Sequence, residues 1–408
     1  MQLSSEWVRP PLPIRPRLPA VPSLAPYFAY QALANTTFFQ AVFMVFYQDR
    51  AGLSLGTILW VQTYFTALRA ILDVPFGALA DRTSRRLCLF VGMVLPAVAS
   101  ALLLWSPTLA MVVVAETLFA TGTALRSGAD SALLYDLLKD ADRLDAYPRA
   151  ESRGQMAAAL ASGTTAVVGA FLASWDLRWP YVVTTVVALG GAAVALRLRI
   201  DGRRSRAHGH MRAAAQLAVG SPRLVWSIAL AAFAVATSHV YYYLQQPYLR
   251  ALGVPLGAFG VVFAATKIVT ALVASRAAEV DAALGARGAT SVMAVVGAAG
   301  LAAMSVATGM AGAPIVLLRG ILDGLWMPLT NVWVNRLVPS ELRATLLSLQ
   351  SLVARLALAA VIALAGVGTD RLGLGTTLAA FSLAALVVGG GLVASAPRLP
   401  GRSRVIAE

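Results

Sequence analysis

Apolar stretches about as long as a bilayer is thick follow one another along this 408-residue chain. Breaking it at charged and Gly/Pro-rich punctuation gives twelve of them, near 25–48, 54–80, 84–105, 108–138, 150–175, 178–199, 222–248, 256–280, 288–309, 313–338, 342–367 and 373–396. A membrane-spanning helix needs about 20 apolar residues, and the 58% of the chain that is hydrophobic is enough for all twelve. Only 13% is charged, where an ordinary soluble domain carries roughly 25%. These figures exclude a soluble enzyme, a secreted disulfide scaffold and a disordered chain. The expected fold is an all-α polytopic membrane protein with twelve transmembrane helices.

The charges report orientation. Net charge is +14, which in a soluble chain would suggest nucleic acid; here position matters more than the sum. With the N-terminus inside, 24 basic residues fall in cytoplasmic loops and tails and four in outer loops, namely Arg50, Arg178, Arg250 and Arg371. Cytoplasmic loops concentrate Lys and Arg, so both termini are expected in the cytoplasm. Residues 1–24 form a proline-rich tail and 397–408 a second tail. Between 200 and 221 lies a basic linker with His208 and His210, read as a hydrated segment near anionic headgroups rather than as a metal site. Cys88 is the only cysteine, so there is no disulfide framework and no cysteine-based metal site.

That linker separates two halves, 25–199 and 222–396, which repeat one another. Gly52-Leu-Ser-Leu-Gly56 matches Gly253-Val-Pro-Leu-Gly257, and Glu151-Ser-Arg153 matches Glu341-Leu-Arg343. A shift of 198 residues carries Arg69, Gly77 and Asp81 onto Lys267, Ser275 and Glu279. Duplicated halves place a site between two six-helix bundles near the mid-plane, which suits alternating access.

Between spans two and three the chain reads Gly77-Ala-Leu-Ala-Asp81-Arg82-Thr-Ser-Arg85-Arg86. This resembles the loop signature of the major facilitator superfamily, Gly-x-x-x-Asp-Arg/Lys-x-Gly-Arg-Arg/Lys, with Ser84 where the family usually has glycine. The twelve-span layout and the echo at Ser275–Glu279 are similar to that family too. On physical grounds Gly77 lets a neighbouring helix approach and Asp81 is placed to meet a positive helix N-terminus. Arg82, Arg85 and Arg86 can pair with Asp130 and Asp136. The resemblance implies an intracellular latch made by Gly77, Asp81, Arg82 and Arg86; the rival reading is charge that only sets topology. Span four carries Glu116-Thr-Leu-Phe-Ala-Thr-Gly122 where many antiporters of the family carry an Arg-x-x-Gln-Gly stretch. Span five has Gly163-Thr-Thr-Ala-Val-Val-Gly169-Ala170 and lacks the proline common in drug antiporters. The stretch Ser127-Gly-Ala-Asp130-Ser-Ala-Leu-Leu-Tyr-Asp136 resembles a span-four pattern of bacterial efflux-type members, which implies a home in a bacterial cytoplasmic membrane.

Five basic residues remain inside spans: Arg69, Arg126, Lys267, Arg319 and Arg355. A charge at bilayer depth costs roughly 2.5–3.5 kcal/mol on insertion scales, so each calls for a partner or a wet cavity. Arg69 and Asp73, and Arg319 and Asp323, stand four apart on one helix face and are expected to pair. Lys267 and Arg355 have no partner by spacing and are placed to attract an anion. The family's cavity is lined by spans one, four, seven and ten, which singles out Glu116 as the proton-coupling group, with Arg319 or Asp323 tuning its proton affinity; purely structural pairing is the rival.

Polar and aromatic residues on those spans are the candidate substrate contacts: Asn35 and Gln40, then His239, Tyr243 and Gln246 on one face, then Trp326 and Asn331. Ordinary packing or an interfacial aromatic belt is the alternative. The expected function is secondary transport of a small organic solute, with proton-coupled export of a drug-like compound or metabolite leading over uptake of a sugar, organic acid or amino acid. A transport-dead receptor or a membrane enzyme is the reading of another class. The sequence shows no catalytic Ser/His/Asp grouping, zinc-ligand spacing or nucleotide-binding loop. No enzyme activity, metal or cofactor is therefore expected beyond a proton gradient. The partners expected are the solute and the lipid bilayer, without nucleic acid, for a monomer.

Overall fold

The computed structural model describes residues 24–105, 107–127, 130–140, 142–198, 216–217, 219–338 and 340–397. The two tails and the basic linker with His208 and His210 lie outside these, apart from their edges, as do the side chains of Asp81, Arg82 and Asp130. All described regular structure is helical. We number the helices α1 Ala25–Ala34, α2 Phe43–Ala51, α3 Leu55–Arg82, α4 Arg85–Trp105, α5 Leu109–Ser127, α6 Asp130–Asp140, α7 Tyr147–Trp175 and α8 Trp179–Arg197 in the first half. In the second half α9 is Pro222–Ala251, α10 Leu256–Ser275, α11 Ala277–Val306, α12 Leu318–Leu337, α13 Ser340–Leu372 and α14 Leu374–Ala394.

Among the described residues eleven helical segments are long and apolar enough to cross a membrane. The remaining crossing is the first in the chain, and it is made in pieces: α1, a short 3-10 turn at Phe38–Ala41, and α2. Successive crossings reverse direction, so the molecule has two faces. One carries the turns at Gly52 and Gly253; the other carries the chain ends near 24, 198, 219 and 397 and is called the tail face. Both glycines have left-handed backbone, at φ 64° and 74°, which an L side chain adopts only under strain. The repeated Gly-x-x-x-Gly loop is thus a repeated turn. Trp105, Trp175 and Trp179 stand exposed near the Gly52 face, where an interfacial belt belongs. Ile71, Phe171, Leu272 and Val387 stay exposed along the spans, as side chains facing lipid do.

Several boundaries differ from the sequence reading. Span four divides into α5 and α6. α10 ends at Ser275, and α11 begins at once but contains Gly285 at φ 62°, which separates a short segment at 277–284 from the spanning part. α3 and α10 start 201 residues apart, not 198. Lys267 therefore lies about one helical turn closer to the Gly52 face than Arg69 does.

Span one breaks at Asn35-Thr36-Thr37. Asn and Thr side chains compete for backbone groups and are poor helix formers. The Asn35 amide donates to the Gln31 carbonyl and the Thr36 hydroxyl to the Ala32 carbonyl, and Thr37 turns extended at φ −128°, ψ 101°. Backbone groups freed by such a break must find partners inside the protein, since lipid offers none. Four are met by side chains. Arg126 donates to the Ala34 carbonyl, 2.5 Å; the Phe38 amide donates to Thr184 Oγ1, 3.1 Å. Gln246, from the other half, donates to the Gln40 carbonyl at 3.1 Å and accepts from the Met44 amide at 2.9 Å.

α7 admits the broken strand of chain because it is small there. A Cβ on Gly169 would overlap the Phe38 carbonyl, and one on Gly260 of α10 would overlap the backbone of Ala166 and Val167. The small-residue stretch of span five is therefore a packing surface for span one and for the opposite half. Two polar ties reinforce the Gly52 face. Asp370, near the end of α13, accepts from the Gly56 amide at 3.0 Å, capping the positive N-terminus of α3. Arg250 pairs with Asp49 at 2.7 Å across the halves.

Because Gln246 satisfies two buried backbone groups, Gln246→Ala is expected to lower the melting temperature of the purified protein. Each group left unpaired costs about 1–3 kcal/mol. An unchanged melting curve would show that span one is held by other contacts.

Candidate functional site

Helical periodicity explains which side chains meet between the halves. On α3, Gln62, Phe65 and Arg69 share a face; on α5, so do Glu116, Phe119, Thr123 and Arg126. These residues line a cavity of about 520 Å³ together with Asn35, Gln40, Phe43, His239, Tyr242, Tyr243, Lys267 and Arg319. A second lobe of about 330 Å³ shares Phe65, Arg69, His239 and Tyr243 with the first and extends past Trp326, Asn331, Gln350 and Arg355. The ties described above close the Gly52 side of this space.

Glu116 is buried, with 6% of its surface exposed. Its carboxylate accepts from the Tyr47 hydroxyl at 2.9 Å and from the Gln62 amide at 2.7 Å, and it makes no ion pair among the described residues. Tuning by contact with Arg319 or Asp323 is not what the fold builds. Those two pair with each other on the opposite wall at 3.2 Å, as their spacing predicts. Asp323 also accepts a hydrogen bond from Ser238, and the Arg319 guanidinium lies 4.8 Å from the Tyr242 ring centre.

The expected Arg69–Asp73 pair does not form. Asp73 pairs with Arg355 of α13, across the halves, and accepts from the Ser127 hydroxyl at 3.1 Å. A partner on another helix outcompetes the helical neighbour when it brings a charge the neighbour's geometry cannot bring as close. Arg355 is thus not free for an anion by sequence spacing alone. Arg69 and Lys267 make no hydrogen bond or ion pair among the described residues, and the Lys267 ammonium lies over the Phe263 ring, 5.6 Å from its centre.

Of the proposed substrate contacts, Asn35, Gln40, His239 and Tyr243 line the main lobe, and Trp326 and Asn331 line the second. His239 has its Nδ1 within 2.8 Å of the Val235 carbonyl, which occupies that nitrogen in a local bond. Gln246 is the exception. It lines neither lobe, because both ends of its amide are engaged by span one. Tyr47 and Gln62 are absent from the sequence reading of the site, and Arg69 and Arg126 enter it only as charges that need a partner or a wet cavity. The signal existed: Gln40, Phe43 and Tyr47 recur at helical spacing, and so do Gln62, Thr66 and Arg69.

At the tail face, Arg85 is buried and pairs with Asp136 of α6. Arg86 is exposed and makes no ion pair among the described residues. Among the described residues nothing lies within 4 Å of where a Gly77 Cβ would stand. The close helix approach expected there is absent among the described residues. The echo of the motif also differs: Glu279 is exposed, while Asp281 accepts from Trp333 at 2.8 Å and pairs with Arg336 at 2.9 Å.

The family model of the Major Facilitator Superfamily matches residues 27–362. No curated protein matches in sequence. Among solved structures, a mutant of the nucleoside transporter NupG aligns with a TM-score of 0.79 at 11% identity, over 91% of this chain and 98% of that one. A bacterial homolog of the human lysosomal transporter Spinster, inward-facing and unoccupied, gives 0.68 at 15% identity over 91% and 94%. The peptide transporter POT in complex with alafosfalin gives 0.71 at 18% identity over 92% and 95%. At these identities the likeness shows the fold. With the family match, it points to a transporter and not an enzyme. Helices, cavity and family model agree, and the chain belongs to the Major Facilitator Superfamily.

Proposed function

We propose that the protein is a secondary transporter that moves a small organic solute across the cytoplasmic membrane of a bacterium by alternating access, coupled to protons through Glu116. The observation that carries the coupling is the setting of this carboxyl: it is buried on the cavity wall, with two neutral hydrogen-bond donors and no ion pair among the described residues. An ionised group so placed is costly unless something neutralises it, and a proton taken from the cavity does so. No nucleotide-binding loop competes as an energy source.

The excess of basic residues in the loops and tails of the tail face supports a cytoplasmic position for it. The cavity then faces the cytoplasm, and the closed Gly52 face lies outside. Return to the outward-facing state brings the tail-face ends together, with the open space beside Gly77 taken up by the opposite half. Asp81, Arg82, Arg85, Arg86, Asp130 and Asp136 form the latch around that contact.

Export, by exchange of a drug-like compound or metabolite for protons, is the direction favoured by the resemblance of Ser127–Asp136 to efflux-type members. A second reading has one specific observation behind it. Five cations and three carboxylates surround the cavity, so a proton on Glu116 and a bound anion favour each other. Their joint movement is symport of an organic acid.

Reconstituted vesicles with an imposed pH gradient separate these readings. Solute moving against the proton flow is export by exchange, and solute moving with it is symport. In either case Glu116→Gln is expected to abolish the dependence of flux on the gradient while leaving solute exchange without a gradient. Full pH-driven flux in that variant would remove Glu116 from the mechanism. Gly77→Leu is expected to slow turnover by at least about tenfold, with little change in melting temperature, by blocking closure at the tail face. Unimpaired turnover would take Gly77 out of the latch.

A further inference from the structure

We infer that the transported solute is an organic anion, held by its carboxylate or phosphate between the basic residues of the two halves while an aromatic or other apolar body lies against the cavity's rings. This names the substrate class of the transport reading above and rests on it for the word transported; the binding claim stands on the cavity itself.

The argument begins with charge. Arg69 and Arg126 on the first half and Lys267 and Arg319 on the second all line the main lobe. Among the described residues, Arg319 alone of these four has a carboxylate partner, Asp323. Arg355, in the second lobe, is taken by Asp73. Three cations therefore face one carboxyl, Glu116, and that group already accepts two hydrogen bonds. Cations left at this depth without counter-charge are among the least favourable arrangements a membrane protein holds. A site that leaves them so is built for an anion brought from outside.

Part of the donor set is also unpartnered, although Arg126 Nη1 is engaged by the Ala34 carbonyl and Arg319 Nη2 by Asp323. Arg319 is 5% exposed, yet its Nε and Nη1 are buried without hydrogen-bond partners; Arg69 Nε and Arg126 Nε are in the same condition. Unpaired buried donors are rare and costly, and guanidinium groups match the planar fork of a carboxylate or the oxygens of a phosphate. Cations on both halves give the anion a further role. An anion touching both walls supplies the attraction that lets two basic surfaces close on one another.

The remaining walls argue against a bare inorganic ion. Phe39, Phe43, Phe65 and Phe119 line the main lobe, beside Tyr242 and Tyr243. A cavity of about 520 Å³ leaves room for a ring system beyond the charged group. Rings of this kind favour apolar and aromatic bodies.

The test is calorimetric binding to the purified, full-length protein in detergent, which needs no turnover. The probes are 4-phenylbenzoate, phenyl phosphate, the neutral 4-phenylbenzamide, a matched aryl trimethylammonium, sodium chloride and inorganic phosphate. An aryl carboxylate or phosphate is expected to bind at least about tenfold more tightly than the amide, the ammonium compound and the inorganic ions. Lys267→Gln and Arg69→Gln are expected to remove most of that preference, and Lys267→Arg to keep it, with melting curves reporting that each variant is folded. Equal binding of carboxylate and amide, preference for the ammonium compound, binding of inorganic ions as tight as of the aryl anions, or no anion binding across the panel overturns the inference. Anion binding without proton-driven flux would sink the transport mechanism instead and leave this inference standing. Proton-driven flux of neutral solutes alone would do the reverse.

Discussion

Charge inside an apolar slab is the constraint around which this molecule is arranged. Five cations and three carboxylates of the spanning segments surround the cavity, and each is costly without a partner. Arg319 and Asp323 resolve the problem within one helix, and Arg355 and Asp73 resolve it by joining the two halves. Glu116 is held by neutral donors on α2 and α3. What is left over, Arg69, Arg126 and Lys267, faces a shared space that water or solute must occupy. The cavity is thus the consequence of charges the fold does not cancel.

The broken first span belongs to the same logic. Its Asn-Thr-Thr centre cannot sustain a helix, and its freed backbone groups recruit Arg126, Thr184 and Gln246. Arg126 is therefore shared between a structural bond to Ala34 and the cavity wall, which places one of the free cations. Gln246 ties the same segment to the opposite half near the closed face. Where Gly260 lets its backbone touch that of Ala166 and Val167, the halves meet without side chains between them. The Asp370 cap and the Arg250–Asp49 pair are polar and partly open to solvent, so the closed face is held by contacts that can be exchanged for water.

Much of this was legible in the sequence, and the failures share a cause. Span positions, the repeated turns at Gly52 and Gly253, the Arg319–Asp323 pair and the cavity-facing place of six of the seven proposed substrate contacts follow from hydropathy, periodicity and spacing. The Arg69–Asp73 pair was expected from the same rule and does not form, because spacing within a helix is blind to Arg355 more than 280 residues away. Gln246 sits at the right helical interval for the cavity, yet the break in span one, two hundred residues earlier, claims its amide. The break itself had a signal in three consecutive poor helix formers. Hydropathy alone hides it, since the stretch stays apolar enough overall to count as one span. The register slip between Arg69 and Lys267 has a similar origin: short motifs anchor a repeat locally and cannot see three residues gained between anchors.

The central claim is that two halves rock about this charged cavity, opening one face as the other closes. Spin-label distances across each face test it most directly, in a Cys88→Ser background with the pairs Leu144→Cys with Leu284→Cys at the tail face and Trp175→Cys with Val306→Cys at the Gly52 face. All four positions are exposed. On acidification, with a transported solute present, the tail-face distance is predicted to shorten as the Gly52-face distance lengthens. Distances that stay fixed, or that change in the same sense at both faces, would contradict the account.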